Sequence, residues 1–270
     1  MALSMLERPP SRLIVDMRVD ATSYDDATRR ILDWAEESSS RSVFIATVNN
    51  VMEAHEDPAF LDVMNGSDLT TPDGMPLVWG LKILGVEQAT RVYGPDLTPI
   101  VMRGAAERGV PVGFYGGSEE TLRKLLERVE RDFPGLEVSF HESPPFRQLT
   151  AAEDAATVAR VAASGARVLF VGLGCPKQER WIAEHRGRIP AVMVGVGAAF
   201  DFLAGTKRQA PGLLQRLGLE WVFRLVNEPR RLWRRYLRHN PRFVALFARQ
   251  VFLRRAEAPG VADPRSMGDE

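Results

Sequence analysis

The chain has 270 residues, 45% hydrophobic and 26% charged, an ordinary soluble composition that supports one large domain or one domain with an appendage. Its formal net charge is zero, so nothing global points to nucleic acid or to a membrane. The one cysteine, Cys175, excludes an intramolecular disulfide and suits a reducing cytosol. No stretch approaches the roughly 18 apolar residues of a membrane-spanning helix. The N-terminus MALSMLERPPSRLIVD has no uninterrupted apolar run and carries an early glutamate. A secretory leader is therefore not expected, and a cytoplasmic location is.

Along the chain, short apolar or β-branched runs alternate with longer amphipathic ones. RSVFIATV (41–48) and VPVGFYGG (110–117) read as strands, and SEETLRKLLERVERDF reads as a helix capped by Ser118 with acids in its first turn. LEVSFHE (136–142) is a strand, TAAEDAATVARVAAS a helix, and ARVLFVGLG (166–174) another strand. Pro176 opens the next helix, through about His185, and PAVMVGVG (190–197) is a further strand. This rhythm predicts βαβ units: a Rossmann-like, mostly parallel α/β sheet with helices on both faces.

From about residue 205 the pattern changes to helix alone, interrupted only at Pro229 and at Asn240-Pro241. The expected division is a catalytic α/β domain over 1–205, a helical appendage over 206–255 and a loose Gly/Pro/Asp-rich tail over 256–270. Residues 207–255 hold thirteen Lys or Arg against two acids, Glu220 and Glu228, so the neutral chain has a strongly basic end. Arg224, Arg231, Arg234, Arg235 and Arg238 recur at helical spacings, interleaved with Trp221, Phe223, Trp233 and Tyr236. A basic, aromatic-rich amphipathic segment suits an anionic membrane interface, and its bulky aromatics favour lipid over nucleic acid.

In open parallel sheets, ligands sit at the carboxyl ends of strands. Four such loops stand out here: ATVNNVME, FYGGSEE, VGLGCPKQE and GVGAAFDF. In the third, Gly172 and Gly174 permit close approach of a ligand, and the following helix N-terminus suits a diphosphate. Its spacing is not that of a dinucleotide fingerprint, and taken alone it also reads as a plain turn. Gln178 in the first helical turn is expected to face the crevice. Cys175 has no partner motif for a nucleophile and reads as the filler of a small slot. On spacing alone, Asp73 in Pro-Asp-Gly reads as a turn residue capping a helix near Met75. The scattered histidines and the absence of a D-x-D motif give no metal signature, so any diphosphate charge falls to arginines.

The motifs then converge. T-x-N at 47–49, PDG at 72–74, R-x-x-G-x-D at 91–96, G-x-G-x-P-K-Q-E at 172–179, GVGAAFDFLAG, RQAP, and LEW-x-x-RL-x-x-EP-x-RLWRRY at 219–236 occur in one order. In this the chain resembles the WecG/TagA/CpsF glycosyltransferases over about residues 13–240. The resemblance implies metal-independent, inverting transfer of a sugar from a UDP-sugar to a polyprenyl-diphosphate-linked saccharide, without a cofactor, at the inner membrane face. It makes Asp73 the base that deprotonates the acceptor hydroxyl. It also implies that Thr47, Asn49, Arg91 and Gln178 are pocket residues, with Gly172 and Gly174 in the donor loop and Asp201 near the nucleoside. Arg224 and Arg231, with Arg234, are implied to stabilise the leaving diphosphate. The family uses several donor sugars and varies in oligomeric state, and a homo-oligomer is among the partners it suggests. Two rival readings remain: a nucleotide-binding oxidoreductase, which lacks its glycine fingerprint here, and a membrane adaptor, which leaves Asp73, Arg91 and Gln178 without a task.

Overall fold

The computed structural model describes residues 7–257. Of the expected tail, residues 258–270 lie outside the described part. The first element is a hairpin that the sequence reading does not contain. β1 (Ser11–Ile14) pairs antiparallel with β2 (Met17–Asp20) and buries Ile14, Met17 and Val19. At its turn Val15 adopts φ 60°, a strained value for a β-branched residue, and its N–H donates to Gln250 Oε1.

α1 (Tyr24–Glu36), capped by Ser23, leads into β3 (Arg41–Ala46). This strand ends two residues sooner than expected, because Thr47 leaves the sheet to cap α2 (Val48–Glu56). α3 (Pro58–Asn65) follows, then β4 (Leu69–Pro72), a strand that the sequence reading does not contain and that runs into the Pro-Asp-Gly turn signal. All four residues are buried, and they pair in parallel with β3. α4 (Met75–Ile83) starts where expected, followed by α5 (Gly94–Arg108). The expected alternation then holds through β5 (Val112–Gly116), α6 (Glu119–Asp132), β6 (Val138–Glu142), α7 (Ala151–Ser164), β7 (Val168–Gly172), α8 (Lys177–His185) and β8 (Val192–Gly195). Ser118 caps α6 as predicted. Pro176 is the N-cap of α8 rather than its first residue.

The six strands form one parallel sheet in the order β4-β3-β8-β7-β5-β6. Period-two alternation sorts its side chains into two cores. Val43, Phe114, Phe170 and Val194 meet α1, α5 and α6 on one face; Phe44, Tyr115, Leu169 and Met193 meet α2, α3 and α8 on the other. This is the predicted Rossmann-like arrangement. β5 and β7 approach so closely at their ends that a Cβ on Gly116, at φ +123°, would lie 2.6 Å from the Gly172 carbonyl.

Beyond the sheet the chain is helical: α9 (Ala199–Leu203), α10 (Gly212–Arg216), α11 (Glu220–Asn227) and α12 (Pro229–Glu257). The expected break at Asn240-Pro241 does not occur. Pro241 sits inside α12, where its missing N–H deprives the helix of one hydrogen bond. Tertiary contacts override that local cost. Leu232 and Phe243 are buried on either side of it, and Glu56 pairs with both Arg238 and Arg242 across the proline turn. Near the far end, Gln250 clasps the β1–β2 turn through Val15 N–H and the Leu13 carbonyl.

Candidate active site

A cleft of about 860 Å³ opens beyond the carboxyl ends of β3 and β4, roofed by α10, α11 and α12. Asp73 is the first residue past β4, held beside Thr47 by its N–H donating to the Ala46 carbonyl. It does not cap α4. That place falls to Gly74, which offers no side chain, and Asp73 Oδ1 instead accepts from Arg91 Nη2 at 3.0 Å. Arg91 Nε donates to the Asp73 carbonyl as well, and its guanidinium lies 4.2 Å from the Tyr93 ring centre. The same Nη2 donates at 2.5 Å to Glu220 Oε2, which α11 carries down from the roof. One guanidinium thus serves two carboxylates. Burial pushes the Asp73 carboxyl up, Arg91 pulls it back and the Glu220 charge raises it again, leaving it at about 6. A carboxylate so placed is ionised at neutral pH yet basic enough to take a proton from a hydroxyl.

The neighbouring loop from β3 is braced internally. Asn50 Oδ1 accepts from the Thr47 N–H and hydroxyl, and Asn50 Nδ2 donates to Glu179 Oε1. Asn49 lines the cleft and donates to Cys175 Sγ at 3.3 Å, while its buried Oδ1 has no donor. Burial pushes the Cys175 thiol far up, which keeps it neutral and unreactive.

Gln178 corrects the expectation that it faces the crevice. It is 3% exposed, and its Oε1 accepts from both Gly174 N–H and Gly197 N–H, tying the loops after β7 and β8 together. Its Nε2 donates to Glu179 Oε1, so the amide is spent on the scaffold. Glu179, fully buried and raised by desolvation, collects donors from both the Thr47 and glycine loops. The two glycines differ in purpose. A Cβ on Gly172 would strike the Phe200 ring at 2.6 Å, whereas Gly174 needs its left-handed φ of +79° and faces open space. Asp201, at the start of α9, pairs with Lys207 at 2.8 Å.

The expected single face of arginines is divided. Arg224 and Arg235 line the cleft, and the Nε of each is buried without a partner. Arg231 pairs with Glu228 outside it, Arg234 lies over the Trp233 ring, and Arg238 and Arg242 are engaged with Glu56. The cleft therefore gathers Thr47, Asn49, Asp73, Arg91 and Arg224 from the expected residues, and leaves Gly172, Gly174, Gln178, Asp201, Arg231 and Arg234 outside its lining. Among the described residues, no three His, Cys, Asp or Glu side chains converge as metal ligands would.

With this geometry in place, the chain can be set beside known proteins. The model of the glycosyl transferase WecG/TagA/CpsF family matches residues 12–257. The chain belongs to this family. A curated relative from Bacillus spizizenii, N-acetylglucosaminyldiphosphoundecaprenol N-acetyl-beta-D-mannosaminyltransferase, is 34% identical over 201 residues, 73% of this chain and 76% of the relative. A Bacillus subtilis protein of the same name is 28% identical over 196 residues, 72% of this chain and 74% of its own length. As a WecG/TagA/CpsF glycosyltransferase, the chain carries chemistry-bearing residues that sequence reasoning passed over. In sequence, Glu220 reads as one of two acids in a basic segment and as part of the LEW motif, and Arg235 as one of a row of arginines within RLWRRY, with no role attached to either. The available signal for Glu220 is its setting, since each of two acids among thirteen cations is a candidate partner for a cation.

Proposed function

We propose that this glycosyltransferase moves an N-acetylmannosamine-like sugar from a UDP-sugar to a polyprenyl-diphosphate-linked saccharide, with inversion and without a metal. The observation that carries the reading is the half-buried Asp73 carboxylate, raised to about 6, in a cleft whose roof also supplies Arg224 and Arg235. The acceptor hydroxyl gives its proton to Asp73 while its oxygen attacks the anomeric carbon from the face opposite the nucleotide. The bond from that carbon to the β-phosphate oxygen breaks, and its electron pair leaves with UDP. The guanidinium group of Arg224 meets the growing phosphate charge at its unpartnered Nε–H donor, and Arg235 supplies a second cation to the cleft.

Thr47 and Asn49 bind the sugar in this scheme, Asn49 through its unused Oδ1. The nucleotide extends over the ends of β8 and β7, where Gly174 leaves room and Gln178 fixes the loops. Residues 1–205 supply the base and donor loops, and 206–255 form the appendage that closes over them. No helix among the described residues is long and apolar enough to cross a membrane. The lipid acceptor and the basic appendage argue for peripheral attachment at the inner membrane face.

Incubation with a panel of UDP-sugars and a short-chain lipid-diphosphate-GlcNAc acceptor tests this, read by UDP release. Release that requires both substrates supports the reading, and its strongest donor names the sugar. No release with any donor overturns it.

A further inference from the structure

The cleft is two-sided. Its head holds Asp73, Arg91, Arg224 and Arg235, and beyond Tyr236 and His239 it continues as an apolar trough between α4 and α12. Trp79 and Ile83 line one wall; Val244, Phe247, Val251 and Phe252 line the other. Four of these are conspicuously open to solvent: Trp79 at 45%, Ile83 at 57%, Val244 at 64% and Phe252 at 73%. A continuous row of exposed apolar side chains is costly in water and marks a binding surface.

The trough is built rather than incidental. α12 is pinned on both sides of it, by Arg238 and Arg242 on Glu56 and by Gln250 on the β1–β2 turn. Its floor depends on Gly80, where an added Cβ would lie 3.1 Å from Ile14 and 3.3 Å from Phe247. These anchors fix the distance between α4 and α12, so the walls do not collapse onto each other. At 1.5 Å per residue, the path along α12 from Asn240 to Phe252 is about 18 Å, enough for several isoprene units.

We propose that this trough seats the proximal part of the acceptor's isoprenoid chain, with its diphosphate at Arg235, the cleft arginine that adjoins Tyr236 and His239 on α12. The inference rests on the glycosyltransfer reading for the identity of the ligand. The polarity sequence along the cleft is what selects this occupant. A molecule carrying a dianion joined directly to a long, methyl-branched hydrocarbon matches cations followed by aromatic and branched side chains. A second protein copy would bring no dianion to Arg235, whose buried Nε has no partner. The alkene planes of the chain also suit stacking on Trp79 and Phe247.

The test uses the full-length protein with GlcNAc-diphosphate acceptors bearing a short alkyl, a farnesyl or a longer polyprenyl chain, monomeric in detergent without vesicles. The expected result is a KM that falls about 10-fold from the short alkyl to the polyprenyl acceptor. Val244→Asp and Phe252→Asp, at exposed positions where a carboxylate disturbs folding little, should flatten that dependence. Equal KM values at all lengths in the wild type, or an unaltered dependence in both variants, overturn the proposal. So does an effect confined to vesicles, which would make the trough a bilayer contact. A change in sedimentation with chain-length dependence retained would make it a contact between copies, again overturning it. A benzophenone-bearing farnesyl diphosphate gives a readout independent of turnover. Crosslinks on peptides of α4 and α12 support the seat even if no sugar is transferred, and labelling elsewhere removes it.

Discussion

Glu220 reaches from α11 to within 2.5 Å of Arg91 Nη2, the nitrogen that also donates to Asp73 at 3.0 Å. The place of α11 over the sheet thereby bears on the protonation of the proposed base, since the Glu220 charge raises Asp73. Glu220→Gln removes a like charge near Asp73 and leaves Arg91 to pair with Asp73 alone. Both changes favour the ionised carboxylate, so the acid limb of kcat/KM should move down by about one pH unit. A pH–rate profile of the variant, unchanged from wild type, would refute the coupling.

Asp73 itself should set that limb. The base acts ionised, so activity should rise with pH through about 6 and be lost below it. Asp73→Asn should keep donor binding and lower turnover by roughly 100-fold or more. Stability carries the opposite sign. Between the ordinary carboxylate range and about 6 the folded chain holds a proton that the unfolded chain has released, so the Asp73 contribution falls as pH rises. Denaturation of Asp73→Asn across that window should show this part of the slope missing.

The arginines should separate by position. Arg224→Ala, which removes the guanidinium proposed to meet the leaving phosphate, should lower turnover on a soluble acceptor by about 100-fold, as loss of a transition-state donor does, and Arg235→Ala should lower kcat/KM for the acceptor by about 10-fold or more. Arg231→Ala and Arg234→Ala, outside the cleft lining, should stay within a few-fold of wild type on the order of surface substitutions. Steady-state rates for the four variants decide the matter. A larger loss at Arg231 than at Arg235 would mean that the roof rearranges on substrate binding.

Gln178→Ala should act on the fold before the chemistry. It strands the N–H groups of Gly174 and Gly197 and removes a donor from buried Glu179, at a cost of about 1–3 kcal/mol for each unsatisfied group. Urea unfolding should show the loss, accompanied by a raised KM for the donor. Full stability with weakened donor binding would instead make Gln178 a direct ligand.

Chelation is the simplest test. With arginines proposed to carry the diphosphate charge, EDTA should leave transfer unchanged. Activity lost on chelation and restored by magnesium or manganese would require a cation that the scheme does not contain.

Periodicity made most of the sheet legible. Strands such as 166–174 and helices capped by Ser118 or Thr150 declare themselves through local burial patterns and capping chemistry. β4 was hidden because Leu69–Pro72 adjoins a strong turn signal, and only pairing with β3 makes a four-residue run a strand. Pro241 misled for the converse reason: its local cost is real, but α12 is held across it by the buried Leu232 and Phe243, with ion pairs to Glu56 beside them.

The site divides in the same way. The order of motifs sufficed to name the family and to single out Asp73, because identity and spacing are properties of the chain itself. Which groups meet was settled by the tertiary structure. Glu220 shares Arg91 across 129 positions, Gln178 turns inward to bridge two glycine loops, and Arg235 rather than Arg231 enters the cleft. Helical spacing places arginines on a face, but the direction of that face depends on where Leu232, Phe243 and Gln250 dock α12. Docking is decided by contacts between distant residues, which no local pattern contains.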